Sequence, residues 1–212
     1  MTQADEDADD RKLLEAWRSG DDASGNALLE RHFGTLLRFL RAGHSFERAE
    51  VTELVQRCMV ACVESRERVP DEVSFRAYLL GIARRLVADT YRAGHRARAR
   101  DAKAWPEPSV RSPSQVVAAR QEERLLLRGL QQLPRELQVV IQLHYWEKMR
   151  VGEIARVCDI PDGTVKSRLR RAREQLHAAM RTLTADDALL HSTTHGLERW
   201  AAALRERERT RK

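Results

Sequence analysis

An all-α chain of two small helical domains joined by a flexible linker is what this sequence predicts, on three observations. Apolar residues recur at helical spacing through most of the 212 residues, no strand candidate is longer than a few residues, and one interval with three prolines, 94–114, has no periodicity. Composition agrees: 33% charged and 5% aromatic residues suit helices with thin cores, and 42% hydrophobic residues is too many for a wholly disordered chain.

The elements follow in order. Residues 1–10 are polar, with Asp5 to Asp10 forming an acidic head expected to be disordered. The first domain is placed at 11–93. Leu13, Leu14 and Trp17 mark a short helix, which Gly20-Asp21-Asp22 breaks with capping residues. Ala27, Leu28, His32, Leu36, Phe39 and Leu40 carry a second helix, ended by Gly43. In the third, from about Arg48 to Arg66, Val51, Leu54, Val55, Cys58 and Cys62 share one helical face. Pro70 and Asp71-Glu72 interrupt. A long fourth helix from about Val73 to Ala93 puts Phe75, Tyr78, Leu79, Ile82, Leu86, Val87 and Thr90 on one face and Arg76, Arg84, Arg85 and Arg92 on the other.

The linker at 94–114 contains Pro106, Pro108 and Pro113. The second domain is placed at 115–182. It opens with Leu125, Leu126, Leu130 and Leu133. Pro134 then starts a helix bearing Leu137, Val140, Ile141 and Tyr145. Two further helices, about Val151 to Cys158 and about Asp162 to Met180, flank Asp159-Ile160-Pro161. Residues 183–212 form a C-terminal helical extension, weakly amphipathic through Leu189, Leu190, Leu197, Trp200, Ala201 and Leu204. It reads either as a frayed solvated helix or as one that docks on a module or a regulator, with Trp200 as its anchor.

Charge and composition narrow the function. The net charge of +6 and pI of about 9.6 favour a polyanionic partner, nucleic acid or acidic membrane. The basic charge gathers at Arg84 to Arg100 and Lys166 to Arg173, which reads as two binding faces. Cys58, Cys62 and Cys158 cannot all pair with one another, and two lie on an apolar stripe, so free buried thiols in a reducing compartment are expected. No signal peptide is recognisable, and no apolar stretch approaches the roughly 20 residues of a membrane span. A cytoplasmic location and no membrane insertion follow as expectations. The histidines at 32, 44, 95, 144, 177, 191 and 195 are scattered, and His191 and His195 lack a third ligand. No catalytic constellation is evident, so neither an enzyme nor a cofactor or metal is expected.

The sharpest signal is the segment Val151 to Leu169. Ile154 and the small Ala155 form the inner face of its first helix, and Ile160 anchors the turn. Val165, Leu169, Ala172 and Leu176 form the inner face of the second helix. This is the pattern of a DNA-binding helix-turn-helix. At about 100° per residue, Ser167, Arg170, Arg171 and Glu174 lie opposite the apolar stripe, flanked by Thr164 and Lys166. Lys166, Ser167, Arg170 and Arg171 are the candidates for base edges, and Arg168 and Arg173, nearer the sides, for phosphates.

The run Gly163-Thr-Val-Lys-Ser-Arg-Leu-Arg-Arg-Ala-Arg173, preceded by Leu133-Pro-Arg-Glu-Leu-Gln138, resembles the promoter-binding domain of extracytoplasmic-function (ECF) RNA polymerase sigma factors of the sigma-70 family. Glu53-Leu-Val-Gln-Arg57 is similar to that family's polymerase-binding helix, and Phe75-Arg-Ala-Tyr-Leu79 with Ile82-Ala-Arg-Arg-Leu86 to its following DNA-binding helix. The resemblance covers roughly residues 11–182. It implies a sigma region 2-like domain and a region 4-like domain that direct promoter-specific initiation. Glu53, Gln56 and Arg57 would grip the clamp helices of core RNA polymerase, whose flap is a further contact. The loop Glu67 to Ser74, with Arg76, Arg84, Arg85, Arg92 and Arg96, would melt and bind the −10 element. Thr164, Lys166, Ser167, Arg168, Arg170, Arg171 and Arg173 would read the −35 element. An anti-sigma factor or other regulator is the usual partner. The chain departs from the family at Arg57, where an acidic residue is usual, and at Met59, where an aromatic is. Tyr78 stands where tryptophan is usual and Arg85 where asparagine is common. The rival is a helix-turn-helix repressor or activator that binds duplex operator DNA without polymerase, for which the ordered motifs at 53–86 would be unnecessary.

Overall fold

The computed structural model describes residues 3–41, 46–100 and 121–184. Eight α-helices are found among them: α1 (Gln3–Arg18), α2 (Asp22–Arg41), α3 (Arg48–Glu64), α4 (Phe75–Arg100), α5 (Gln121–Gln131), α6 (Arg135–Ile141), α7 (Val151–Cys158) and α8 (Asp162–Leu183).

The acidic head is helical from Gln3, which corrects the expectation of disorder over 3–10. The reason is a buried charge cluster. Asp10 is only 2% exposed and accepts from Arg31 at 2.8 Å and from the His32 ring at 2.6 Å, so the first helix is held on the second from its acidic end. Gly20 makes the turn at φ +100°, a left-handed conformation suited to glycine. Asp21 then caps α2, accepting from the Ala23 amide at 3.1 Å and the Ser24 hydroxyl at 2.6 Å. The Ser24 bonds hold its carboxyl below the usual carboxylate range. Gly25 lets α1 and α2 approach: an added Cβ would collide with the indole of Trp17.

α3 opens on a capping box, with the Glu47 amide donating to the Glu50 carboxylate at 2.7 Å. Its apolar stripe of Val51, Leu54, Val55, Cys58 and Cys62 is buried as the spacing predicts. A short 3-10 turn at Arg66–Arg68 and a loop lead to α4. That helix does not stop near Ala93 but runs on to Arg100 through the first part of the expected linker. Nothing in Gly94-His95-Arg96-Ala97 breaks a helix except one glycine, which an α-helix tolerates at about 1 kcal/mol. The rest of the linker and the C-terminal extension from Ala185 onward lie outside the described residues.

In the second domain Pro134 is the N-cap of α6 rather than its first residue. After Ile141 the helix widens into a π turn at Gln142–Trp146. α7 begins with the Arg150 amide donating to Glu153 at 2.7 Å. It ends at Asp159, in the left-handed conformation (φ 54°), where the Ile160 amide donates back to the Ala155 carbonyl at 3.1 Å. α8 then carries Val165, Leu169, Ala172, Leu176 and Met180 on its buried face.

The two domains pack against each other. One apolar cluster runs from Leu14 and Leu28 through Leu79 and Ile82 into Val140, Leu143, Ile154, Val157, Val165 and Leu169. A second holds α5, α6 and the far end of α8 together. Polar contacts cross the same seam. Glu147, 3% exposed, accepts from Arg38 Nε and Nη2, both at 3.2 Å, and gives its carbonyl to Arg76 Nη1 at 2.8 Å. Arg84 Nε donates to the Val157 carbonyl at 2.9 Å, and Arg156 Nη1 to the Glu72 carbonyl at 2.9 Å.

The three cysteines are free and buried. Burial pushes the Cys58 and Cys62 thiols up to about 12 and raises that of Cys158. They are therefore protonated and unreactive at neutral pH. The unfolded chain would ionise them near the ordinary value of 9.0 while the folded chain would not. Their contribution to stability is thus full below that pH and is lost as the pH rises above it. In the native chain all three should resist iodoacetamide at pH 8 and be alkylated fully in denaturant. Rapid native labelling, read by mass spectrometry, would show a thiol to be accessible.

Candidate nucleic-acid and partner interfaces

The recognition-type helix is built as the sequence predicts. α7 crosses it through Ile154 and Ala155, the left-handed turn at Asp159 sets the angle, and Val165 and Leu169 hold α8 to the core. That leaves Lys166, Ser167, Arg170, Arg171 and Arg173 exposed, with Thr164 and Arg168 at the edge of the face. Ser167 Oγ donates to the Thr164 carbonyl at 2.9 Å, and Arg170 donates to Glu174 at 2.8 Å across one helical turn. The result is an exposed, cationic face on α8, the kind of face by which a recognition helix enters a major groove.

On the first domain Glu53, Gln56 and Arg57 are all exposed on α3, with Arg57 3.8 Å from Glu53. Val60 (55% exposed) and Val63 (40%) continue the same face one and two turns on, and Phe33 (43%) of α2 is exposed as well. Apolar groups beside a polar row are what a protein partner desolvates. These valines were not singled out in the sequence, although at about 100° per residue Val60 falls opposite the buried stripe, among Glu53, Gln56 and Arg57.

The arginines of α4 divide. Arg85 is exposed, as is Arg92, which is paired with Asp89. Arg76 and Arg84 do not stand on an open face as expected: Arg76 is 9% exposed beneath Glu147, and Arg84 is half-buried beneath Val157. The second domain covers them, a contact over 71 and 73 residues of sequence that no local pattern reveals. Arg96 is on α4, but its side chain lies outside the described residues.

The loop at Glu67 to Ser74 is exposed at Glu67, Arg68, Pro70, Asp71 and Glu72, and buries Val69. Between α1, this loop and α7 lies a cavity of about 190 Å³. Arg11, Arg18, Asp71 and Phe75 line it from the first domain, and Glu153 and Arg156 from the second. Among the described residues no group of three or more His, Cys, Asp or Glu side chains is placed to hold a metal ion, and no helix is long and apolar enough to cross a membrane.

Comparison with known proteins places the chain in a family. The family model "Sigma-70 region 2" matches residues 28–97, and "Sigma-70, region 4" matches residues 123–176. An ECF RNA polymerase sigma-E factor of Haemophilus influenzae is 27% identical over 188 residues, 82% of this chain and 96% of that protein. Its counterpart of the same name in Escherichia coli is 24% identical over 181 residues, 79% and 92% of the two chains. Among solved structures, the sigma factor RpoE in complex with the anti-sigma factor NepR from Bartonella quintana superposes with a TM-score of 0.63 at 20% identity, covering 74% of this chain and 96% of that one. CnrH in complex with the cytosolic domain of CnrY superposes at 0.62 and 23% identity, covering 83% and 99%.

Proposed function

This chain belongs to the sigma-70 family as an ECF RNA polymerase sigma factor, and from that premise we propose how its surfaces divide the work. The exposed face of α3 with Glu53, Gln56 and Arg57, extended by Val60 and Val63, docks on core RNA polymerase at the clamp helices of the largest subunit. The loop at 67–74 and the arginines of α4 take the −10 element as an unstacked single strand, cations following the backbone while a recess receives a base. α8 reads the −35 element as duplex. Neither domain performs chemistry or needs a cofactor. The site of action is the cytoplasm, where polymerase and promoters are. Two structural relatives are held by partner proteins, and a regulator of that kind is the partner expected to restrain this chain.

The observation that carries this reading is the pairing of an open recognition helix with a separate, exposed α3 face on one chain. A protein that only read operator DNA would need the first and not the second. The test mixes the purified chain with core polymerase and genomic promoter fragments and sequences the transcripts. Starts at a fixed distance below a shared two-part motif are expected. Tight binding to duplex DNA with no association with polymerase and no specific starts would replace this reading with the repressor.

A further inference from the structure

We infer that Arg18, assisted by Arg11, is the positioning residue of the −10 reader: the two guanidinium groups fix the shape of the loop between α3 and α4. The inference rests on the reading of that loop given above.

The loop lacks the usual means of holding a shape. It has one 3-10 turn, at Arg66–Arg68, and a single tight turn in which the Val73 amide donates to the Pro70 carbonyl at 3.1 Å. Its buried side chain over 66–72 is Val69. A segment with so few apolar contacts ordinarily samples many conformations. Here side chains hold its carbonyls instead. Arg18 Nε donates to the Arg66 carbonyl at 3.1 Å and Arg18 Nη2 to the Val69 carbonyl at 2.6 Å. The remaining nitrogen, Nη1, lies 3.5 Å from the Asp71 carboxylate. Arg11 Nη2 donates to the Asp71 carbonyl at 2.7 Å. One planar cation thus touches the loop at residues 66, 69 and 71, which only a fork of fixed geometry can do; a lysine ammonium is a single point.

The strut is planted on a rigid element. Trp17, next to Arg18, is 4% exposed and fills the notch at Gly25 of α2, and the guanidinium of Arg66 sits over its ring at 5.8 Å. The Arg18 side chain is itself only 22% exposed, so its bonds to the carbonyls are partly shielded from water. Arg11 and Arg18 belong to the first domain, so their contacts persist whatever the second domain does. The Arg156 bond to Glu72 comes from the other domain and lacks that property. A reader that must fit one base needs its frame held within a fraction of an ångström, and a displacement of about 1 Å can cost about a hundredfold.

The experiment uses the full chain with core polymerase and templates that keep a selected −35 element but are randomised across the −10 positions. Enrichment among transcripts gives −10 discrimination, and competition against unlabelled wild type gives polymerase affinity. Arg18→Ala should reduce discrimination at least about tenfold while −35 dependence and polymerase affinity stay at wild-type values. Arg18→Lys, which keeps the charge but not the fork, should lose most of the discrimination as well, a result that a merely electrostatic role would not give. If wild type discriminates and Arg18→Ala discriminates equally, the inference is overturned. If wild type itself shows no −10 preference, the reading of the loop falls and takes the inference with it. Should Arg18→Ala fail to fold by circular dichroism, Arg11→Ala decides in its place: a smaller loss of discrimination is expected, and an unchanged profile overturns the inference.

Discussion

Arg171→Ala should weaken binding to the selected −35 duplex about 10- to 100-fold, the worth of about one bidentate base contact, and should flatten the preference at one base pair. Arg173→Ala, on the flank of the same helix, should behave differently. A phosphate contact carries no sequence information, so its loss lowers affinity evenly across sequences and reduces the slope of log affinity against log salt by about one. Both side chains are exposed and neither holds the fold. The two losses can therefore be compared without a correction for stability. Arg170 is a different case because it is already paired with Glu174 at 2.8 Å, with both side chains more than half exposed. An exposed helical pair of this kind is worth well under about 1 kcal/mol, so DNA can draw Arg170 away from Glu174 at little cost. Fluorescence anisotropy with the duplex and a set of single-base variants distinguishes the roles. An identical, sequence-independent loss for Arg171→Ala and Arg173→Ala would show that Arg171 does not read a base.

How far the sequence led depends on the range of the interaction. The helix-turn-helix was legible because all its determinants lie within 26 residues, Val151 to Leu176: apolar positions one and two turns apart, a small residue at the crossing and an apolar anchor in the turn. The α3 stripe was legible for the same reason, whereas Glu53, Gln56 and Arg57 were picked out by the family resemblance, and the structure places them on the exposed side of that helix. The order of residues 3–10 was not, since a run of acids reads as solvated head; what orders it is Asp10 meeting Arg31 and His32 from another helix. The end of α4 was misplaced because one glycine was read as a boundary. Arg18 carried no signal at all, as one arginine among the many basic residues of the chain. Its role lies in three carbonyl and carboxylate partners 48 to 53 residues away, and backbone carbonyls leave no mark in a sequence. Arg38 and Glu147 are separated by 109 residues and were invisible as a pair.

That pair carries the second large effect. A −10 and a −35 element are about 25 base pairs apart, roughly 85 Å at about 3.4 Å per pair. In the structure Arg84 of the proposed −10 helix lies 2.9 Å from Val157 of the helix-turn-helix. On the assignment of surfaces proposed above, the packed arrangement cannot engage both elements, and the domains separate before a promoter is held. What resists separation is the shared apolar seam, the buried Glu147 carboxylate held by Arg38, and the Glu147 carbonyl held by Arg76. Removing one member of a buried pair leaves the other charge uncompensated and costs about 3–5 kcal/mol. Because Arg38 and Glu147 meet only in the packed arrangement, that cost falls on the packed state, and the packed-to-separated ratio should drop by about 100-fold or more. Donor and acceptor dyes placed at the exposed positions Glu30 and Arg181 should show lower energy transfer in Glu147→Ala than in wild type. Free Glu147→Ala should also bind a single-stranded −10 oligonucleotide more tightly, since Arg76 and Arg84 are released. Arg38→Ala places the lesion in the other domain and should give the same two changes. That agreement separates loss of the contact from damage to either fold. If both variants keep wild-type energy transfer and oligonucleotide affinity while remaining folded, the carboxylate is not what holds the domains together, and the apolar seam alone must account for the packed state.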